Sequence, residues 1–184
     1  MSTIISFVSQ KGGVGKTTSA VNLATAFAFG GYSVLLVDLD PQSSVKFSMG
    51  IKKRISLGTK ELFLELDVPI SDLTEQTEQD NLSFIFSNIE SIRSEKKVFK
   101  LASDETVLQK RLQPILNQYD FIILDAPAST NNMAVNAIYC SDLIVLPLQC
   151  ESLAIKSLKR FLISFTELQQ RLTGKDLRLA GILL

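Results

Sequence analysis

Eight residues from Lys11 to Thr18 read KGGVGKTT, an order of residue types suited to holding phosphate. Glycines let the backbone curl until successive amides face one point, and a helix that begins there adds its partial positive charge. In such a loop Lys16 reaches the β and γ phosphates of a nucleotide, and Thr17 places its hydroxyl on Mg²⁺. Gly12, Gly13, Val14, Gly15, Lys16, Thr17 and Thr18 are therefore the candidate residues for binding ATP or ADP. The general pattern has a glycine where this chain has Gln10, so the match is to a variant with Lys11 ahead of the paired glycines. Further along, Asp125 closes the apolar run FIILD. An apolar strand that ends in aspartate is the Walker B arrangement, which holds Mg²⁺ directly or through water.

These residues need a scaffold that brings them to one place. Short runs rich in Ile, Val, Leu and Phe recur at residues 4–9, 33–38, 82–86, 121–125, 143–147 and 177–184. Several are apolar at consecutive positions, as expected of parallel strands covered by helices on both faces. Helical stretches are expected at 18–29, ending on Gly30-Gly31, at 94–118 with a kink or split at Pro114, and at 152–172. Residues 48–80 read as a peripheral excursion with short helices. The fold class is α/β, a mostly parallel central sheet with helices on both faces, in one domain over residues 1–184. A helix of about 13 residues from Thr18 spans roughly 20 Å. Six residues of strand return about the same distance at roughly 3.3 Å each. Asp38 and Asp40 therefore come back beside the phosphate loop, at the carboxyl edge where open α/β sheets bind ligands.

Composition narrows the chemistry further. The chain of 184 residues has no histidine, which removes Ser-His-Asp and Cys-His nucleophiles, His-ligated zinc and His general bases together. Nineteen basic residues balance nineteen acidic ones, so any contact with a polyanion must be a local patch. Lys52-Lys53-Arg54, Lys96-Lys97-Lys100 and Lys156-Lys159-Arg160 are the candidate patches, although charge runs are more often solvated faces. Cys140 and Cys150 form no CxxC pair and read as small, reduced core residues. No apolar run approaches the roughly 18 to 20 residues of a membrane span, and the N-terminus lacks the pattern of a signal peptide. A cytoplasmic location is expected.

Taken together, KGGVGKTT, AVNLA at 20–24, VLLVDLDPQ at 34–42, SNIE at 87–90, YDFIILDAP at 119–127 and DLIVLPLQCESLAIKSL at 142–158 resemble the deviant-Walker ATPases of the ParA/MinD superfamily. The resemblance is closer to the ParA/Soj partition branch, which DPQ favours, and it covers nearly the whole chain. It implies that Lys11 is the signature lysine reaching across an ATP-sandwich homodimer to the partner's phosphates. Thr18 then contacts the α phosphate, Asp40 positions the attacking water, Asp38 lies near the hydrated Mg²⁺, and Asp125 is the Walker B aspartate. Lys11, Lys16 and Asp40 are thus the expected catalytic residues, and Thr17, Asp38 and Asp125 the metal residues.

The activity implied is slow ATP hydrolysis that times a switch. The ATP dimer binds DNA non-specifically, which associates it with the nucleoid where that binding is retained, and a cargo-bound ParB-like partner triggers release. Ser43-Ser44 replaces the Gly-Asn of many relatives, and Ala128 replaces a second proline. The chain ends in an apolar strand, whereas the family continues with segments that contact the base and DNA, so a truncated form with an exposed apolar strand is expected. Alternative readings are a MinD-like ATPase selecting a membrane site, a nucleotide-binding regulator that does not hydrolyse ATP, and a metabolic P-loop enzyme. No membrane contact is expected, because no basic amphipathic C-terminal helix is present.

Overall fold

The computed structural model describes residues 2–77, 79–151, 154–172 and 174–184, with the backbone alone for residues 154 and 155. Its centre is a seven-stranded sheet in the order β3-β4-β2-β5-β1-β6-β7. The strands are β1 (Thr3–Phe7), β2 (Val34–Asp38), β3 (Glu75–Gln76), β4 (Leu82–Ile85), β5 (Phe121–Asp125), β6 (Leu143–Pro147) and β7 (Arg178–Leu183). All pairings are parallel except β3 with β4, where a two-residue strand closes one edge.

Consecutive apolar residues serve both faces of this sheet. Val34 and Leu36 of β2 face one cluster while Leu35 and Val37 face the other. The first face is covered by α1 (Lys16–Phe29) and α2 (Ser44–Ser48). Helix α1 buries Ala20, Ala24 and Ala28, one per turn, so a stripe without bulk lies on the strands. The second face carries α3 (Thr59–Leu64), α4 (Ile70–Leu73), α5 (Ile92–Leu101), α6 (Val107–Leu112), α7 (Asn132–Cys140) and α8 (Ala154–Arg171). Residues 152 and 153, where the sequence pattern begins this last helix, lie outside the described residues.

Three differences from the sequence pattern have local causes. The helix expected over 94–118 breaks first at 102–106, well before Pro114. There Asp104 accepts hydrogen bonds from the amide and hydroxyl of Thr106, at 2.9 and 2.6 Å, which stabilises a turn in place of helix. Pro114 instead sits in a 3₁₀ turn, Gln113–Ile115, that follows α6. Helix α7 has no counterpart in the sequence pattern; its start is set by Asn131, whose side chain accepts from the amides of Met133 and Ala134. Finally, Cys140 is buried as expected, with burial pushing its thiol up to about 12, but Cys150 is exposed and is not a core residue. Strand β7 leaves Ile182 and Leu183 nearly half exposed, as the apolar final run suggests.

Candidate nucleotide site

The chain leaves β1 at Phe7, crosses residues 8–15 and enters α1 at Lys16. Gly13 and Gly15 adopt φ of +74° and +92°, a backbone region that L side chains avoid, which is why the curl needs glycine there. A Cβ on Gly12 or Gly13 would meet nothing within 4 Å, so the loop encloses open space of its own. Among the described residues, no hydrogen bond takes up the amides of residues 13–18. These donors at the head of a 14-residue helix form a site for an anion.

Lys16 is only 6% exposed, and its ammonium lies 3.5 Å from the carbonyl of Lys11. Burial lowers its pKa, while the charges of Asp125 and Asp40 act in the opposite sense. Asp38 and Asp125 are register partners on the adjacent strands β2 and β5, both fully buried, so the two carboxylates reach the same edge of the sheet. The Thr17 hydroxyl donates to Asp125 Oδ2 at 2.6 Å. Asp125 Oδ1 is buried without a hydrogen-bond partner, and burial pushes this carboxyl up to about 6, against the hydrogen bond from Thr17 and the charge of Lys16. An orphaned carboxylate oxygen beside a threonine hydroxyl and under free amides is the donor set expected for hydrated Mg²⁺ on a phosphate chain. The residues present therefore fit a Mg-nucleotide.

Asp38 is held differently. Its Oδ1 accepts from the amide of Asp40 at 3.0 Å and its Oδ2 from the amide of Val45 at 3.2 Å. Burial, followed by the charge of Asp125, raises its pKa well above the ordinary carboxylate value. Its hydrogen bonds fix the turn that follows β2. Asp40, partly exposed, accepts from the amide of Gln42 at 2.9 Å, and its charge is felt at Lys16. Ser43, at φ 54°, donates through its hydroxyl to the carbonyl of Ser87.

Lys11 points away from the loop's interior. Its ammonium donates to Gln149 Oε1 at 2.8 Å and pairs with Glu151 at 2.5 Å, and Gln149 Nε2 returns a bond to the carbonyl of Gly13. The spacing of residues in the sequence gives no sign of Gln149 and Glu151, because the contact joins two loops more than a hundred residues apart. A second group that sequence reasoning misses is Asn88, within SNIE. It donates to the carbonyl of Ser56 and to Glu61 Oε2, and accepts from the amide of Lys60. Glu61 is buried, which pushes its pKa up, yet Lys60, Asn88 and the amide of Gly58 together hold it below the ordinary value. This cluster ties the peripheral excursion to the end of β4, and Thr59 completes the tie through its hydroxyl to the carbonyl of Asp38.

A mostly parallel sheet with a glycine loop between β1 and the first helix, and a strand-end aspartate on the adjacent β5 beside that loop, defines a P-loop nucleotide-binding protein. Residues 2–179 match the family described as AAA domain. The sporulation initiation inhibitor protein Soj of Bacillus subtilis is 36% identical over 185 residues, covering 100% of this chain and 72% of that one. The chromosome partitioning protein ParA of Myxococcus xanthus is 36% identical over 181 residues, 98% of this chain but 64% of its own length. Among solved structures, cobyrinic acid a,c-diamide synthase from Mycobacterium smegmatis, with bound ADP and magnesium, superposes with TM-score 0.88 at 31% identity. That match covers 100% of this chain and 74% of the other. The chain belongs to this AAA-domain family, alongside Soj and ParA.

Proposed function

We propose that this chain is the catalytic part of a ParA-like switch: it binds Mg-ATP, dimerises around it, hydrolyses it slowly, and partitions or positions a cargo. The observation that carries the reading is the orphaned Oδ1 of Asp125, two bonds from an oxygen already held by Thr17, at the mouth of a loop of free amides. When bound, Mg²⁺ would screen phosphate charge there; Thr17 and Asp125 would hold it and its water. Lys16 would lie along the β and γ phosphates, with Gly12, Gly13, Val14, Gly15 and Thr18 surrounding the chain of phosphates. Asp38 would act from one step further out, by fixing the turn that presents Asp40. Asp40, on that partly exposed turn, would orient an attacking water.

Lys11 would serve a second copy of the chain. Its pairing with Glu151 joins two half-exposed side chains, at 51% each, and such pairs contribute about 0 to 1 kcal/mol. A phosphate of the partner's nucleotide would displace Glu151 readily. Non-specific DNA and a cargo-bound ParB-like activator are the partners proposed, with the protein at work in the cytoplasm near nucleoid DNA. Among the described residues no helix is long and apolar enough to cross a membrane, and the relatives' names favour partition over a MinD-like membrane role.

The test is steady-state ATP hydrolysis with Mg²⁺, with and without DNA, on the wild type, Lys16→Ala and Asp40→Ala, alongside light scattering. Slow hydrolysis lost in both variants, with ATP dimers persisting in Asp40→Ala, is expected. Hydrolysis by Lys16→Ala at the wild-type rate would overturn the assignment.

A further inference from the structure

Of the three basic runs in the sequence, the first is largely ion-paired, whereas the second, like exposed Lys156, Lys159 and Arg160 of the third, has no ion pair among the described residues; the second is the longer stripe, with four cations. In the first, Lys53 pairs with Glu75 at 2.6 Å and Arg54 with Glu90 at 3.5 Å. Around the second, on α5, Arg93, Lys96, Lys97 and Lys100 are all exposed, and none forms an ion pair or side-chain hydrogen bond among the described residues. Positions 93, 96, 97 and 100 repeat at helical spacing, so the four cations share one face and run about 10 Å along it. Ile92, 73% exposed, stands at its start, and these five residues line one shallow, open concavity.

Four unpaired cations in a line offer an extended polyanion several phosphate contacts at once, with release of the counterions that otherwise screen both partners. We propose that the outer face of α5 is a docking surface for the phosphodiester backbone of duplex DNA, a location for DNA binding on this chain that rests on the DNA-binding part of the function proposed above. Charge complementarity points to a polyanion, and the packing of the helix favours duplex DNA over insertion into a bilayer. To enter a membrane interface an amphipathic helix must release its apolar face, and here Val98 is fully buried in the core. The helix is also clamped at its end: Asn132 donates to the carbonyl of Phe99 at 3.0 Å and buried Asn136 to that of Ala102 at 2.7 Å. Both asparagines belong to α7, the helix that follows β5 and Asp125 in the chain, so the stripe is tied to the element next after the Asp125 strand.

The experiment compares the wild-type chain with Lys96→Ala/Lys97→Ala/Lys100→Ala and with the corresponding triple arginine variant. Affinity for a 30-base-pair duplex of arbitrary sequence, about three helical turns, is measured against salt with a non-hydrolysable ATP analogue. Each phosphate that the protein no longer neutralises lowers the slope of log K against log salt by about 0.9. The alanine variant is expected to show a slope shallower by about two or more and to bind tenfold or more weakly near 0.1 M salt. The arginine variant is expected to match wild type, and ATP hydrolysis without DNA to be unchanged in both. Wild-type DNA binding with an unchanged slope in the alanine variant would overturn the α5 surface alone. A wild type that binds ATP but no duplex would overturn it together with the DNA part of the proposed function. Stripe-dependent binding to phosphatidylglycerol vesicles in preference to duplex would overturn it in favour of a membrane.

Discussion

Replacing Asp125 by asparagine should stabilise the protein in the absence of Mg-nucleotide and remove the stabilisation that Mg-nucleotide gives. Burial raises this carboxyl from 3.8 to about 6. At about 1.4 kcal/mol per pH unit, holding it ionised at pH 7 costs the folded state about 3 kcal/mol. Asparagine removes that cost and keeps an oxygen for the Thr17 hydroxyl, but its amide nitrogen takes the place of an oxygen that has no partner. A buried donor without an acceptor costs about 1 to 2 kcal/mol, which leaves a net gain of about 1 to 2 kcal/mol. For a chain of this size that is a rise of roughly 2 to 8 °C in Tm at pH 7. Because the folded value lies above the unfolded one, the wild-type penalty is complete above about 6 and falls away as the pH drops toward 3.8. The advantage of Asp125→Asn should therefore be full at pH 7, vanish at about pH 5 and be reversed near pH 4, where only the cost of its unpaired donor remains. Saturating Mg-ADP, at about a hundred times its Kd, should add about 2.7 kcal/mol to the wild type and much less to the variant, reversing their order. Thermal unfolding from pH 4 to 8, with and without Mg-ADP, measures all of this. A variant less stable than wild type at pH 7 without nucleotide, or an advantage independent of pH, would refute the reasoning.

Two further substitutions separate the loop from its supports. Gly15→Ala places a side chain at φ +92° with its nearest neighbour at 3.9 Å, so its cost is conformational, about 1 to 2 kcal/mol, and should appear as a lower Tm. An unchanged Tm would count against a strained loop. Asn136→Ala removes hydrogen bonds to Ala102, Asn132 and the amide of Leu108 from a fully buried site. A loss of about 2 to 4 kcal/mol in urea unfolding is expected, and less than 1 kcal/mol would mean that the break between α5 and α6 is held by something else.

What is legible in the sequence is what rests on local rules. Glycine spacing identifies the loop because positive φ demands glycine at Gly13 and Gly15. Doubly apolar runs identify the central strands because Val34 to Val37 meet a core on each side. The residues that stay hidden act over long separations. Nothing near Asn136 announces that it will hold Ala102, and nothing near Lys11 announces Glu151. The break at 102–106 is obscured for a related reason: Pro114 is a strong local signal, while Asp104 acts through a turn that only its folded neighbours make worthwhile. Asp38 sharpens the point, since a strand-end aspartate announces a ligand, yet both its oxygens are bound to backbone amides of the following turn.

That arrangement also explains how one ligand can organise two strands at once. Asp38 and Asp125 lie side by side in register, both fully buried and both raised in pKa, with Lys16 as the nearby cation. A single lysine whose own pKa is lowered by burial does not offset two buried carboxylates and Asp40. The site is therefore short of positive charge at its carboxylate edge, and a divalent ion supplies it where Asp125 has an oxygen free. Once Asp125 is neutralised, its charge no longer opposes ionisation of Asp38, and the ionised carboxylate accepts more strongly from the amides of Asp40 and Val45. Mg²⁺ bound beside β5 would thus tighten the turn after β2 that carries Asp40, without touching that turn, so metal binding and the placing of Asp40, the carboxylate proposed above to orient the water, would be one event.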